Sequence, residues 1–342
     1  MRAYLIRRLL LIIPTLFILS IPVFLSVRFI PGDVIDAMAD RMDFGYDIDR
    51  EALEHILGLD VPIHVQYGRW IGVLPTPDWF TGESHFKGLL QGTLGESLFE
   101  RGEYFITSPA SALSIEERIL RKLPVTIQLG VMAIVIGLVI ALPVGIYSAI
   151  RQDTAADYMG RTIGIIGMAA PNFWLALMVM IYPAIWWNWS PPMTWIPFVE
   201  DPLGNLGVLI IPSLILGTGM AAGTMRLTRT MMLEVLRQDY IRTAWSKGLK
   251  ERVVIIRHAM KNALIPVVTL VGGSLPLLVG GSVIIESIFN LPGLGRFFLE
   301  ALRLRDYPVI SGANLFFAGI TMLAILLTDM IYPYLDPRVR YS

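Results

Sequence analysis

The sequence predicts an all-α integral membrane protein with six transmembrane helices, and three observations carry that prediction. Charged residues make up only 16% of the 342-residue chain and hydrophobic ones 54%, whereas a soluble domain averages about 25% charged. Mean hydropathy is +0.61. Six apolar runs are each long enough to cross a bilayer, which takes roughly 20 helical residues. They lie near Leu9–Phe29, Thr126–Ile150, Thr162–Trp186, Gly207–Met225, Leu264–Phe289 and Gly312–Tyr332. The chain has no cysteine, which excludes disulfides, Cys-ligated zinc, iron–sulfur clusters and thiol catalysis. Its net charge of zero gives no sign of a nucleic-acid partner.

The first run follows Arg2, Arg7 and Arg8. It is longer than the apolar core of a signal peptide, so it reads as an uncleaved first span, residues 1–30. Basic residues flank membrane helices on the cytoplasmic side. That rule places both termini inside, together with Arg151, Arg161, the segment Arg226–Lys261 and a tail at 336–342. The segment 31–122 then lies outside, with sixteen acidic residues against eight basic ones. It is too long for a plain connection. Helical patterning at Arg50–Leu59 and Pro62–Gly72 makes it a small external subdomain. Residues 123–335 form a five-helix core carrying the cytoplasmic loop 226–262. Trp186, Trp187, Trp189 and Trp195 follow the third span and read as an interfacial aromatic belt.

The basic segment Arg226–Lys261 carries nine Lys or Arg against three Asp or Glu. Leu233, Leu236, Tyr240 and Ala244 fall at spacings that put them on one face of a helix. Lys247–Gly248 reads as the end of that helix, because glycine tolerates the left-handed cap conformation. A second helical stretch, Glu251–Asn262, leads into the fifth span. The expected shape is a helix–Gly–helix elbow. Small residues at Thr243, Ala244, Ser246 and Gly248 would let another surface approach. A loop that only fixes topology and a docking element for a soluble protein both fit these residues.

The stretch DYIRTAWSKGLKERVVIIRHAMKNALIPVVT, Asp239–Thr269, resembles the cytoplasmic coupling segment of ATP-binding-cassette importer permeases, and most of all the B-type subunits of dipeptide and oligopeptide importers. Arg242–Thr243–Ala244 matches the family's small-residue triplet and Gly248 its following glycine. Met260 and Lys261 stand where other branches keep Leu-Pro, and Ile265–Pro266 comes later, as in the peptide branch. Tyr4–Asp33, Leu57–Gly72 with Gly92–Ser97, and Glu286–Gly312 resemble the family in the same order. Val73–His85 and Glu100–Ser114 are longer than the family's usual loops.

The resemblance implies a multi-pass inner-membrane subunit working with a second, C-type permease, two ATPase subunits and an external binding protein. ATP and magnesium would sit on the ATPases, since this chain has no G-x-x-x-x-G-K-[ST] loop; no cofactor is expected here and the chain is not expected to be an enzyme. Arg242, Thr243, Ala244, Lys247, Gly248 and Leu249 would form the ATPase-coupling surface, and bulky side chains at Ala244 and Gly248 would obstruct it. Small peptides are the leading cargo, with oligosaccharides and nickel complexes as alternatives within the family. An ATP-independent channel or secondary transporter is the alternative from another class.

Polar residues inside spans are costly in hydrocarbon and frequently functional. Asn172, Ser274, Ser282 and Glu286 are the candidates for the translocation pathway, with Thr218, Thr224 and Thr269 weaker. The histidines His55, His64, His85 and His258 form no paired ligand motif. A membrane-embedded hydrolase would need a nucleophile with a base, or an acid pair, inside the spans. Asp329 and Glu286 are expected on opposite sides of the bilayer and do not supply one.

Overall fold

The computed structural model describes residues 2–29, 32–41, 50–77, 83–99 and 114–335. Among the described residues the regular structure is helical apart from one short antiparallel pair, β1 (Thr76–Pro77) with β2 (Ser84–His85). In order, the helices are α1 (Arg2–Val27), α2 (Val34–Arg41), α3 (Arg50–Leu57), α4 (Ile63–Ile71), α5 (Ile115–Ile150), α6 (Ala155–Ala169), α7 (Asn172–Trp187) and α8 (Pro202–Leu236). After them come α9 (Asp239–Ser246), α10 (Glu251–Ala263), α11 (Ile265–Ile288), α12 (Leu294–Arg303) and α13 (Tyr307–Leu335). Most of the long insertion Glu100–Ser114 and part of Val73–His85 lie outside the described residues.

Four helices are individually long and apolar enough to cross a membrane: Ile6–Val27, Ile115–Ile150, Pro202–Leu236 and Tyr307–Met330. Two bent pairs pass the same test jointly. Ala155–Gly167 with Asn172–Trp187 bends by 90°, and Glu251–Ala263 with Ile265–Leu275 by 48°. The described residues therefore hold four candidate spans, or up to six if each bent pair is one. The run expected as one span over Thr162–Trp186 is thus two helices. The cause is local: Ala170 precedes Pro171 and is extended, at φ −84° and ψ 118°, as the residue before a proline is pushed to be. Pro266 likewise has no N–H to offer the carbonyl four residues back, where α10 gives way to α11.

Two compact units divide the chain. One is built on Val125–Gly295 and the stretch from Thr321, the other on Leu5–Pro124 and Arg296–Ile320. In the first, Leu129 of α5, Leu209 of α8, and Ile285, Phe289 and Leu291 at the end of α11 form a buried core. α5 and α8 approach closely because both carry glycine at the crossing. A Cβ at Gly217 would fall 2.7 Å from the Ala133 carbonyl oxygen, and one at Gly137 3.0 Å from that of Gly217. Small residues at such crossings are how membrane helices gain contact without a hydrophobic driving force. Beside the crossing, Gln128 Nε2 donates to Asn205 Oδ1 at 2.5 Å, and Asn205 Nδ2 to the Ile196 carbonyl at 2.7 Å.

In the second unit, Phe24 of α1 stacks on Trp70 of α4 at 5.5 Å and meets Tyr67 edge-on at 5.2 Å. Ser20 and Tyr67 share a hydrogen bond of 2.9 Å between their hydroxyls. The helical patterning expected at Arg50–Leu59 and Pro62–Gly72 appears as α3 and α4, the latter closed by Gly72 in the left-handed region. Large apolar side chains stay exposed along outward faces, including Val131, Val135 and Val139 of α5 and Ile163, Ile165 and Ile166 of α6. A water-soluble protein rarely exposes such continuous patches; in a bilayer they face lipid. Trp186, Trp187 and Trp189 are exposed as a belt requires. Trp195 instead packs against the first unit's core.

Candidate functional site

The basic segment is an elbow, but it is not built as its periodicity predicts. α8 does not stop near Met225 but runs to Leu236, and the chain breaks at Gln238, which is extended at φ −73° and ψ 147°. Leu233 and Leu236 therefore belong to α8 and Tyr240 and Ala244 to α9. They do not share one helical face, because helical periodicity does not carry across a break. What α9 buries is Ile241 and Ala244, three residues apart. They pack with Met232, Val254, Ile255, Ala259, Ala263 and Ala149 into a separate apolar cluster. Asn262 Nδ2 donates to Tyr240 Oη at 2.9 Å and ties α9 to α10.

The helix end forms as expected. Lys247 N–H donates to the Thr243 carbonyl at 3.2 Å and Gly248 N–H to that of Trp245 at 2.9 Å. Gly248 has φ +72°, and a Cβ there would meet nothing within 4 Å. Backbone conformation demands the glycine, and the space beside it is open. Arg242, Thr243, Lys247 and Leu249 are exposed, together with the rings of Tyr240 and Trp245. Ala244 is different: it is 6% exposed and faces inward. A large side chain at Ala244 would disrupt the elbow's own packing, whereas one at Gly248 would point into open space. α10 is also unlike the expected plain helix. Val254–Ala259 is a π-helical turn between short α segments, a feature frequent at functional sites.

Behind the elbow, Asp157 of α6 is fully buried and holds two arginines. Arg229 of α8 donates from Nε at 2.8 Å and Nη2 at 2.9 Å. Arg161 donates from Nε at 3.2 Å and Nη2 at 2.5 Å. Asp153 N–H adds a bond of 3.1 Å, and Thr154 caps α6 by accepting from Asp157 N–H at 3.4 Å. Sequence reasoning used Arg161 for topology only. The i, i+4 spacing of Asp157 and Arg161 was a signal for that pair, but nothing in the sequence announced Arg229.

The four pathway candidates separate into two places. Asn172 and Ser274 converge on one turn of α8. A Cβ at Gly219 would fall 2.7 Å from Asn172 Oδ1, and Ser274 Oγ lies 3.5 Å from Met220 Sδ while donating to its own helix at the Val271 carbonyl, 2.7 Å away. Ser282 and Glu286 are fully buried near the end of α11. Ser282 Oγ donates to Glu286 Oε1 at 2.9 Å and Thr126 Oγ1 donates to the same oxygen at 2.8 Å. Thr126 in turn accepts from Leu294 N–H at 2.8 Å. A Cβ at Gly293 would fall on the Glu286 carboxyl, and one at Gly295 would lie 2.6 Å from Val283 Cα. The glycines of the Leu-Pro-Gly-Leu-Gly turn thus make room for this carboxyl group. Thr126, which completes the bracket, was read only as the start of a span. Thr218, Thr224 and Thr269 bond carbonyls of their own helices.

In the second unit Asp306 accepts from Ser97 Oγ, from Leu98 N–H at 3.1 Å and from Phe99 N–H at 3.4 Å. Burial pushes its carboxyl up from the ordinary range, against the pull of these donors.

Long apolar helices, lipid-facing aliphatic surfaces and a buried set of polar fastenings define a multi-pass helical membrane protein. The chain belongs to the family of binding-protein-dependent transport system inner membrane components, whose model matches residues 141–341 and so includes the whole elbow. It is 36% identical to a putative peptide transport system permease protein of Brucella abortus over 100% of both chains. It is 35% identical to the oligopeptide transport system permease protein AppB of Bacillus subtilis, again over 100% of both. Among solved structures, the MetNI methionine ABC transporter is similar over 65% of this chain and 98% of that one, at 16% identity and a TM-score of 0.49. The protein is an inner-membrane transport component.

Proposed function

We propose that this chain is the B-type permease subunit of an ATP-driven, binding-protein-dependent importer of small peptides. The observation that carries this reading is full-length similarity to permeases named for peptide and oligopeptide transport. In this reading the two bent helix pairs count as spans, giving six, and both termini and the elbow face the cytoplasm. The segment 31–122 is then an external subdomain, 123–335 the permease core and 336–342 a cytoplasmic tail. A C-type permease completes the pathway, two ATPase subunits hold ATP and magnesium, and an external binding protein delivers the peptide. Oligosaccharides and nickel complexes are the cargoes that peptide uptake competes against.

The elbow supplies the coupling. Its outward surface at Arg242, Thr243, Lys247, Gly248 and Leu249 seats in an ATPase, and its inner cluster, which includes Ala244, transmits the movement to α8 and α11. Asn172 and Ser274, half-buried beside the same turn of α8, are the pathway residues to test. Ser282 and Glu286 serve that pathway by fastening the end of α11. Purification in mild detergent with the chains encoded beside it, followed by native mass spectrometry, tests the assembly. A second permease and two phosphate-loop ATPases are expected in the complex. A homo-oligomer without an ATPase would overturn the reading in favour of an ATP-independent channel or secondary transporter.

A further inference from the structure

Asp157 lies outside the elbow, fully buried, at one end of a close helix pairing. α6 runs antiparallel to α8. A Cβ at Gly164 would strike Met225 Cε, and one at Gly167 would lie 3.6 Å from Ala222 Cβ. Gly160, on the same side of α6, faces α5: a Cβ there would fall 2.8 Å from Ser148 Oγ. Past the break at Pro171, Asn172 meets Gly219, one turn further back along α8. Each step forward on α6 is thus a step back on α8, from Arg229 through Met225 and Ala222 to Gly219. The pairing from Asp157 to Gly167 covers about 15 Å of helix.

The glycine seam permits this approach but does not fix its register. Gly160, Gly164 and Gly167 follow one another at helical spacing, so a slide of one turn puts one glycine where another stood. The outward face of α6 carries exposed Ile163, Ile165 and Ile166, and lipid contact is indifferent to such a slide. The Asp157 carboxylate removes the ambiguity. It accepts both prongs of Arg229, from Nε at 2.8 Å and Nη2 at 2.9 Å, and a two-pronged fit of this kind is met at one axial position and one rotation. Arg161 pairs with Asp157 from the same helix, so it adds charge balance without constraining register. A one-turn slide would part the buried carboxylate from Arg229 and strand that guanidinium, whose side chain is 18% exposed. Fixing register is the best-attested use of a buried polar or ionic group.

We propose that Asp157 is a positioning residue for transport: it locks α6 to α8 in one register, so that the two helices move as one body and Asn172 is presented beside Gly219. Bending of the α6–α7 pair is then confined to Ala170–Pro171, where Pro171 has no N–H to bond the Gly167 carbonyl. The link to transport rests on the importer reading; the register itself does not.

The chain has no cysteine, so a pair introduced by Gly167→Cys and Ala222→Cys reports on this pairing alone. Its Cβ separation of 3.6 Å is within the disulfide range of about 3.5–4.5 Å. In the full chain reconstituted in liposomes, the pair should oxidise to an intramolecular disulfide. Adding Asp157→Asn should slow that oxidation about tenfold, within the range for residues coupled through one ion-pair network. Adding Thr126→Val, which weakens the same unit at its Glu286 bond instead, should leave the rate unchanged. Failure of the pair to oxidise overturns the proposal, as does an Asp157→Asn rate equal to the parent's. Equal slowing by Thr126→Val makes Asp157 a stabilising residue only and also overturns it. In the assembled complex, ATP-dependent peptide uptake by the oxidised pair should match that by the reduced pair within about twofold. Uptake lost on oxidation and regained on reduction would show α6 moving against α8 and overturns the proposal. Absence of ATP-dependent uptake in the unsubstituted complex is failure of the importer reading instead, and the oxidation rates, measured on this chain alone, still decide the register.

Discussion

Replacing Thr126 with valine removes one oxygen atom from the bracket around Glu286 and nothing else of comparable size. That oxygen donates to Glu286 Oε1 and accepts Leu294 N–H, both at 2.8 Å, and the site is fully buried. The carboxyl would keep Ser282 as a donor, but losing the Thr126 bond costs about 1.5–3 kcal/mol if the group is charged. Leu294 N–H would be left buried without this acceptor, at a further cost of about 1–3 kcal/mol. Together Thr126→Val should destabilise the chain by about 2.5–6 kcal/mol. Thr126→Ser keeps the oxygen and loses one methyl, worth about 1 kcal/mol. The assay is reversible unfolding in mixed detergent micelles, combined with hydrogen exchange at the Leu294 amide, which should lose protection in Thr126→Val and keep it in Thr126→Ser. A double-mutant cycle with Glu286→Leu, which removes the accepting oxygen, isolates the Thr126–Glu286 bond from the Leu294 bond. If the valine and serine variants differ by less than about 1 kcal/mol, or if Leu294 protection is the same in both, the bracket does not hold the end of α11.

Other outcomes follow from the same geometry. Asp157→Ala strands the Arg229 guanidinium, whose side chain is 18% exposed, and should cost about 3–5 kcal/mol; unfolding of the variant against Asp157→Asn measures it. At Gly248 a tryptophan must adopt a left-handed conformation at about 1–2 kcal/mol and otherwise meets open space. Gly248→Trp should therefore fold and still lose substrate-stimulated ATP hydrolysis in the assembled complex, whereas Ala244→Trp should lose stability by overpacking, about 1–3 kcal/mol. Because burial raises the Asp306 carboxyl above its unfolded value, the folded unit binds that proton more tightly than the unfolded chain does. Its contribution is present below the unfolded value, about 3.9, and is lost as pH rises through the higher folded one. Hydrogen-exchange protection at the Leu98 and Phe99 amides should fall over that window, and Asp306→Asn should flatten the profile.

The sequence foretold the apolar helices well because hydrophobic length is a local property: α5, α8 and α13 each contain an expected run, and α1 covers all but the last two residues of another. Helix ends were less legible. α8 continues eleven residues past Met225, to Leu236, because the basic residues that close an apolar run do not close a helix. The π turn in α10 has no sequence signature of its own. Ala244 could be recognised as small but not as buried: a small residue serves equally at a docking face and inside a core, and only the break at Gln238 decides. Glu286 stood out as an acid near the end of an apolar run. Its partner Thr126 lies 160 residues away, and neither it nor the Asp157–Arg229 and Ser97–Asp306 pairs repeats at any spacing that a sequence pattern can display.

The decisive measurement is uptake of a labelled small peptide into proteoliposomes bearing the whole complex. Accumulation is expected to require ATP, the binding protein and both kinds of partner subunit, and to be abolished by Gly248→Trp while the complex stays assembled. Peptide accumulation that persists without ATP, or that this chain supports without the ATPase subunits, would contradict the importer reading.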